Sequence, residues 1–231
     1  MSLFWIKIIA ILTMAVDHLG VFVFPENIYF RIIGRLSFPL FAWAIANGSI
    51  YSKDTKKYLL RLFVLAIISQ IPYQMVFNSY GVTDPGLNIL FTLSLGLLGI
   101  IFIKDTDNTI IRILIASILS FVAFVINANY GAFGVLCIIS FYRFFGSRIK
   151  TSLSYIFLLL TFFLILPFSV SKNVSDIFEM SYMNFIQMFS IFSLFFICAY
   201  NNKIGHKMKY FFYLFYPLHL FFIFILKLFV F

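Results

Sequence analysis

The chain has 231 residues, of which 63% are hydrophobic and 11% are charged, and its mean hydropathy is +1.04. A soluble domain carries about 25% charged and about 45–50% apolar residues, so this composition excludes an ordinary soluble protein. Because the apolar stretches are continuous rather than alternating, they predict an all-α, polytopic transmembrane helix bundle and not a β-barrel. The net charge of +9 is typical of basic cytoplasmic loops beside anionic lipid, so we expect a lipid bilayer as partner and no nucleic acid.

Apolar runs follow one another along the chain and are separated by short connections. A helix that spans the bilayer needs about 20 residues, so the runs predict about nine spans, within a range of about 8–10. The runs cover residues 4–23, 37–51, 59–77, 87–103, 110–127, 131–145, 151–169, 183–200 and 209–230. The second and sixth are short and are expected to be tilted, re-entrant or broken. Because we see no linker or internal repeat, we expect a single integral membrane domain over residues 1–231.

The distribution of lysine and arginine predicts the orientation of the chain. Most of the 17 basic residues lie in the even-numbered connections, namely Lys53, Lys56, Lys57, Arg61, Lys104, Arg112, Arg143, Arg148, Lys150, Lys203, Lys207 and Lys209. The odd-numbered connections hold only Arg31, Arg35 and Lys172. Positive charge marks the cytoplasmic side, so we expect the N-terminus in the cytoplasm and the C-terminus outside. The Phe/Ile/Lys/Asn-rich composition indicates a bacterium, and hence its cytoplasmic (inner) membrane.

The first helix carries ionisable residues inside an apolar segment, where each costs several kcal/mol unless it has a task. Lys7 and His18 are eleven positions apart, which is close to three helical turns, so both project from the same face. Their separation along the helix axis is roughly 16 Å. Asp17 lies beside His18 in sequence but about 100° around the helix. This pattern predicts a cation near one membrane surface and a titratable base deep toward the other.

Two arginines precede the second helix. Arg31 and Arg35 would share a face if this segment is helical, and two neighbouring guanidinium groups suit an anion or a carboxylate such as Asp17 or Glu26. Interfacial anchoring of the arginines is the alternative. Asn47, near the end of the same helix, is costly in a membrane unless it is paired, and close helix packing explains the small residues around it about as well as a site does.

Amides and hydroxyls gather in the half of the bundle that we expect to face outside. Pro72 near the end of the third helix can free backbone carbonyls, which line a cavity more readily than they face lipid. The polar side chains that we assign to an acceptor-binding cavity are Asn47, Gln70, Gln74, Asn88, Tyr130 and Tyr216.

The last helix contains His219 close to a helix-kinking proline, Pro217. A histidine on an apolar helix is usually structural, but next to a proline inside a membrane span we predict a site role for it. His206 falls in a polar loop and is expected to be solvated. A zinc site built from Asp17, His18 and His219 would lack any recognisable ligand spacing, so no metal is expected.

Several blocks of this sequence resemble the TraX family. They are Thr13–Gly20, Arg31–Phe41, Lys57–Leu62, Tyr130–Gly134 and Tyr213–Leu220. They are spread over nearly the whole chain, and the first two together are quite specific. The family is named for a membrane protein that acetylates the N-terminus of conjugative pilin. It is in turn similar to the larger membrane acyltransferase-3 group, which O-acetylates polysaccharides and other acceptors.

The first helix of the acyltransferase-3 group has a basic residue, ten intervening residues and then a catalytic histidine. Lys7 and His18 fit this spacing. The paired basic residues before the third helix of that group are only partly matched here, by Lys57 and Arg61. The resemblance implies an acyltransferase-3-like fold and an enzyme that transfers an acetyl group from cytoplasmic acetyl-CoA to an acceptor peptide, glycan or lipid at the outer face.

In this scheme acetyl-CoA is a co-substrate, and its phosphates would meet basic side chains through charge-assisted contacts. The residues assigned to this contact are Lys7, Lys53, Lys56, Lys57 and Arg61. His18 would act as general base on the acceptor or would accept the acetyl group itself. Asp17 would pair with Arg31 or Arg35, and these arginines would polarise the acetyl carbonyl or hold an acidic acceptor group.

Two other functions stay open. A lipid or small-solute transporter could use Asp17 and His18 as a proton relay, although the inverted repeats common in such carriers are not visible here. A non-catalytic membrane component of a conjugation or envelope machine would tolerate substitution of His18 or Arg35 without any effect beyond expression. The oligomeric state is left open.

Overall fold

The computed structural model describes residues 1–167 and 182–230. Over these residues the chain is helical, and its only β-type pairing is one isolated bridge between Leu87 and Ala128. The all-α prediction is confirmed for this part of the chain. The last two residues of the predicted run 151–169 and Lys172, one of the cations assigned to the outer side, lie outside the described residues.

Long apolar helices make this a multi-pass membrane protein. Among the described residues, five helices are long and apolar enough to cross a bilayer, namely Leu3–Phe22, Ile28–Tyr51, Thr55–Ser79, Arg148–Ile165 and Lys209–Phe229. Shorter apolar helices of 10–17 residues are found at Ile89–Ile103, Thr109–Val125, Gly131–Arg143 and Tyr182–Cys198. Each of these helices in the described ranges coincides with one predicted apolar run. Because a span needs about 17–25 residues, the number of about nine spans stays a prediction.

The second long segment is broken into two helices. The chain begins with α1 (Leu3–Phe22), followed by α2 (Ile28–Gly34) and α3 (Ser37–Tyr51). Pro39 has no N–H for the carbonyl of Arg35, and its ring crowds that carbonyl, so one helix cannot run straight through Arg35. The sequence predicted a short second run from residue 37, and α2 extends this segment toward the first helix.

Four of the remaining described helices begin at side chains that suit a helix start. The remaining helices are α4 (Thr55–Ser79), α5 (Ile89–Ile103), α6 (Thr109–Val125), α7 (Gly131–Arg143), α8 (Arg148–Leu160), α9 (Tyr182–Cys198) and α10 (Lys209–Val230). Asp54, Asn88, Asn108 and Ser147 each accept a hydrogen bond from a backbone N–H in the first turn of α4, α5, α6 and α8 respectively. These caps satisfy donors that a helix start leaves without an intrahelical partner.

Packing divides the chain into two compact units. Unit 1 comprises Met1–Phe41 and Phe144–His206, and unit 2 comprises Ala42–Arg143 and Lys207–Phe231. In unit 1, α1 packs on α2, and in unit 2, α5 packs on α4, α6 and α7 while α10 packs on α4.

Glycines allow the closest of these approaches. A Cβ atom on Gly20 would lie 2.5 Å from the Cβ of Phe30, and one on Gly34 would overlap the side chain of Asp17. In unit 2 a Cβ on Gly96 would overlap Ile138. Small residues at such positions let helix backbones come close in a membrane, and in unit 1 they bring the charged residues of α1 and α2 together.

Candidate functional site

A cluster of charged side chains lies in unit 1, where α1 meets α2. The carboxylate oxygen Oδ1 of Asp17 accepts hydrogen bonds from Nη1 of Arg31 at 2.8 Å and from Nη2 of Arg35 at 2.6 Å. The three side chains are only 13–20% exposed. The predicted pairing of Asp17 is therefore observed, and it involves both arginines.

Gln187 of α9 completes this charge cluster. Nη1 of Arg35 donates to Oε1 of Gln187 at 3.1 Å, and Nε of Arg35 donates to the carbonyl of Arg31 at 3.2 Å. Gln187 is 3% exposed. The sequence analysis did not single out this residue. A sequence feature that could have identified Gln187 is its amide inside an apolar run, the same feature that drew attention to Asn47.

The local sequence explains how the charge cluster forms. Arg31 and Arg35 are one helical turn apart, and Arg35 keeps a right-handed helical conformation as the C-cap of α2, so both guanidinium groups reach the same face. Gly34 sits between them and leaves room for the Asp17 side chain, because any Cβ there would overlap it. The glycine is thus part of the site.

His18 belongs to the same region of unit 1. Its ring stacks on Phe22 with the centroids 6.1 Å apart, and it directly follows Asp17, whose carboxylate binds Arg31 and Arg35. The four residues that the sequence analysis placed at the first two helices as catalytic, including Asp17, therefore lie together. Lys7 lies on α1 at roughly 16 Å along the axis from His18, as the helical rise requires.

A second polar cluster occupies unit 2 and contains residues that we assigned to the acceptor. Nε2 of Gln70 donates to the carbonyl of Gly86 at 2.9 Å, and Oε1 of Gln70 accepts from Nδ2 of Asn88 at 2.8 Å. Nδ2 of Asn88 also donates to the carbonyl of Ala66 at 2.8 Å. Tyr216 is buried on α10, which packs on α4. The hydrogen bonds of Gln70 and Asn88 thus join α4 to the start of α5.

Tyr73 lies beside this polar cluster, and the sequence analysis missed it. Its hydroxyl donates to the carbonyl of Pro85 at 3.2 Å. A tyrosine in a run of apolar and aromatic residues gives no clear sign that its hydroxyl is engaged.

His219 lies one helical turn after Phe215 on α10. Nδ1 of His219 is 2.8 Å from the carbonyl of Phe215. A carbonyl can only accept, so Nδ1 carries the proton and Nε2 is the basic nitrogen. The ring stacks on Phe215 with centroids 5.2 Å apart and meets Tyr216 edge-on at 5.5 Å.

The other predicted acceptor residues have individual environments in unit 2. Asn47 is fully buried on α3, and its amide atoms have no hydrogen-bond partner in the described ranges. Gln74 lies on the exposed side of α4, one turn after Gln70. Tyr130 precedes α7 with a φ of 64°, and its ring is 6.4 Å from that of Phe133.

Four of the five predicted phosphate-binding residues lie around the start of α4, in unit 2, whereas Lys7 lies on α1 in unit 1. The side chains of Lys53, Lys56, Lys57 and Arg61 are exposed there. Asp54 accepts a hydrogen bond from the backbone N–H of Lys57 at 2.9 Å, which holds the pKa of its carboxyl below the usual range, and its other oxygen is 3.4 Å from Nζ of Lys57. Lys56 also lines an otherwise mostly apolar cavity of about 300 Å³ between α4 and α5. Lys57 thus has an acidic partner, and Lys56 is the basic residue at the cavity.

Replacing Asn88 by alanine should destabilise the protein by about 2–3 kcal/mol. The change removes the cap of α5 and leaves the carbonyl of Ala66 and Oε1 of Gln70 without this donor, and a buried polar group that loses its partner costs about 1–3 kcal/mol. Thermal unfolding of the purified protein in detergent measures the effect. Asn108→Ala is the matched control, because Asn108 caps α6 from an exposed position. Equal shifts for the two variants would contradict a structural role of the polar cluster.

Fold and site together define a class, a multi-pass helical membrane protein in which a histidine accompanies a carboxylate bound by two arginines. A comparison with protein families identifies it further. The sequence model described as "TraX protein" matches residues 2–227. The chain therefore belongs to the TraX family.

Two relatives were also found. The chain is 24% identical over 232 residues to the "Probable fimbrial assembly protein FimC, serogroup H1" of Dichelobacter nodosus, covering 95% of this chain and 93% of that protein. It is 30% identical over 101 residues to an uncharacterized protein of Rickettsia prowazekii (strain Madrid E), covering 44% of this chain and 37% of that protein. No solved structure matches the chain.

Proposed function

We propose that the protein is an acetyl-CoA-dependent membrane acyltransferase that transfers an acetyl group to an amine or hydroxyl acceptor at the outer face of the membrane. The observation that carries the proposal is that His18 directly follows Asp17 on α1 of unit 1, and that Asp17 binds both Arg31 and Arg35. Membership of the TraX family supports it. A kinship with the acyltransferase-3 group, a bacterial inner-membrane location and a cytoplasmic N-terminus are parts of the same proposal.

The reaction is a displacement at the thioester carbon of acetyl-CoA. His18 takes the proton of the acceptor N–H or O–H as general base. The acceptor nitrogen or oxygen forms a bond to the acetyl carbon, the carbon–sulfur bond breaks, and the thiolate of CoA receives the proton from His18. The carbonyl oxygen carries negative charge in the tetrahedral intermediate, and the fixed positive charges of Arg31 and Arg35 stabilise it.

The other assigned residues bind or position the two substrates. Lys7, Lys53, Lys56, Lys57 and Arg61 would hold the phosphates of acetyl-CoA, with Lys56 better placed than the Asp54-paired Lys57 to contribute a free charge. The acceptor would be bound by Asn47, Gln70, Gln74, Asn88, Tyr130 and Tyr216. His219 would contact one of the two substrates.

The test is acetyl-CoA turnover by purified protein in nanodiscs. The substrate carries a label in its acetyl group, and the readouts are transfer of the label to the acceptor and release of the CoA thiol. The acceptors offered would be a peptide with a free N-terminus, a hexose and phosphatidylethanolamine vesicles. We expect His18→Ala to reduce turnover about 10²–10⁴-fold, as the loss of a general base does. His206→Ala is the matched control, because His206 is exposed in a loop and should retain full turnover.

Undiminished turnover by His18→Ala would contradict the proposal. A wild-type protein that neither binds acetyl-CoA nor releases CoA with any of these acceptors would also overturn it. Acetyl label retained on the wild-type chain and absent from His18→Ala would instead assign His18 as acyl carrier.

A non-catalytic role in fimbrial assembly is the second candidate, because the relative from Dichelobacter nodosus is named as a probable fimbrial assembly protein. In that case His18→Ala would leave pilus assembly unchanged in cells that express the variant at the wild-type level. The buried position of the charge cluster favours chemistry over a docking role, since a docking surface for another protein needs exposed side chains.

A further inference from the structure

In the side-chain amide of Gln187, the oxygen is hydrogen-bonded and the nitrogen has no hydrogen-bond partner among the described residues. Its oxygen Oε1 accepts from Nη1 of Arg35 at 3.1 Å. A guanidinium group can only donate hydrogen bonds, so this contact fixes which end of the amide faces Arg35. Nε2 consequently points away from Arg35, is buried, and has no hydrogen-bond partner among the residues that the structure describes.

A buried N–H donor without an acceptor is unfavourable, and native proteins keep few of them. Gln187 is 3% exposed, so bulk water does not satisfy this donor. A methionine or leucine of similar size would fill the same space without that cost. The arrangement therefore indicates a donor held ready for an acceptor atom that belongs to a ligand.

The surroundings favour an acceptor atom that carries negative charge. All three donor groups of Arg35 are engaged, with Asp17, with Gln187 and with the carbonyl of Arg31, so its position is fixed. Asp17 carries one negative charge and Arg31 and Arg35 carry one positive charge each, which leaves the cluster with a net positive charge. Hydrogen bonding to the arginine polarises the amide and strengthens its remaining N–H as a donor.

We propose that Nε2 of Gln187 donates a hydrogen bond to the thioester carbonyl oxygen of acetyl-CoA and to the oxyanion that forms from it. This inference rests on the proposed acyl transfer and adds a catalytic residue to it. When the acceptor bonds to the acetyl carbon, negative charge appears on that oxygen. When the oxygen re-forms the carbonyl, the carbon–sulfur bond breaks, and the sulfur of CoA leaves with the electron pair and takes the proton from His18. Preorganised donors aimed at such a charge lower the barrier without binding the ground state equally well.

The substitution Gln187→Glu separates this role from a structural one. Glutamate has the same shape and keeps an oxygen for Arg35, but its ionised carboxylate has no N–H to donate. We expect kcat to fall about 10²–10³-fold, as it does when one oxyanion donor is removed, while KM for acetyl-CoA changes less than about threefold. Gln187→Asn keeps a donor and an acceptor on a shorter side chain. We therefore expect the kcat of Gln187→Asn to lie between those of Gln187→Glu and the wild-type protein.

The control is Asn202→Asp, the same amide-to-acid change in an exposed loop of unit 1, which should leave kcat unchanged. If Gln187→Glu does not fold, Gln187→Met provides the test with the same expected fall in kcat, since it also lacks the donor. A wild-type kcat in both Gln187→Glu and Gln187→Met, or a rise in KM alone, overturns the role of Gln187 and leaves the acyl transfer standing. A wild-type protein without turnover overturns both.

Discussion

Replacing Asp17 by alanine is expected to lower the stability of the protein by about 3–5 kcal/mol, the range for a buried ion pair that loses one partner. The carboxylate binds two guanidinium groups at 2.6 and 2.8 Å, and both would remain in a membrane-embedded region after the change. Asp17→Asn should be nearly as harmful, because its amide oxygen can accept hydrogen bonds but carries no charge to offset the arginines. Denaturant or thermal unfolding in one detergent measures the loss.

Asp107→Ala is the matched control for this loss. Asp107 and Arg112 also form an ion pair, with atoms 3.3 Å apart, but Asp107 is fully exposed, and exposed pairs contribute little. We expect no measurable change in unfolding for this control. Comparable destabilisation by Asp17→Ala and Asp107→Ala would show that the charge cluster does not hold α1 and α2 together.

Gly34→Ala is the second substitution with a large expected effect. The added Cβ would overlap the side chain of Asp17, so it must push α2 away or drive the carboxylate out of reach of Arg31 and Arg35. Overpacking costs about 1–3 kcal/mol, and the weakened ion pair adds to it, so we expect a loss of about 3 kcal/mol or more. Acetyl-CoA turnover should fall with it, because Arg31 and Arg35 lose their fixed positions.

Gly48→Ala provides the comparison for Gly34→Ala. Its nearest neighbour would be the ring of Tyr58 at 3.1 Å, a side chain that can shift slightly, so we expect less than about 1 kcal/mol. Unfolding and turnover of the two alanine variants would be measured side by side. Wild-type behaviour of Gly34→Ala would contradict the close approach of α1 and α2 at the charge cluster.

The sequence predicted most of the helices because hydropathy is a local property. Each helix in the described ranges except α2 overlaps a predicted apolar run. The start of the second segment was missed because Arg31 and Arg35 lower the local hydropathy, so the run appeared to begin at residue 37. The break between α2 and α3 follows from the missing N–H of Pro39, which leaves the carbonyl of Arg35 without its helical donor.

Long-range contacts were harder to predict. The pairing of Asp17 with Arg31 joins residues 14 positions apart, and charge complementarity between adjacent helices was enough to foresee it. Gln187 is 152 positions from Arg35, and nothing in the local pattern relates the two. The amides of Gln70 and Asn88 were predicted to line an open cavity, but in the structure they bond to each other and to backbone carbonyls. Polarity showed that these side chains need partners without showing which partners they have.

The short loop between α1 and α2 has a consequence for biogenesis. Asp17 and Arg31 lie on adjoining helices separated only by residues 23–27, so they can meet as soon as both helices have left the ribosome. If α1 and α2 insert as a hairpin with the ion pairs formed, Asp17, Arg31 and Arg35 together carry one net charge into the membrane. If the two helices insert separately, three unpaired charges enter the membrane. Since each charge costs several kcal/mol in hydrocarbon, the two helices should enter the bilayer together, and the charge cluster would form at the first step of membrane insertion.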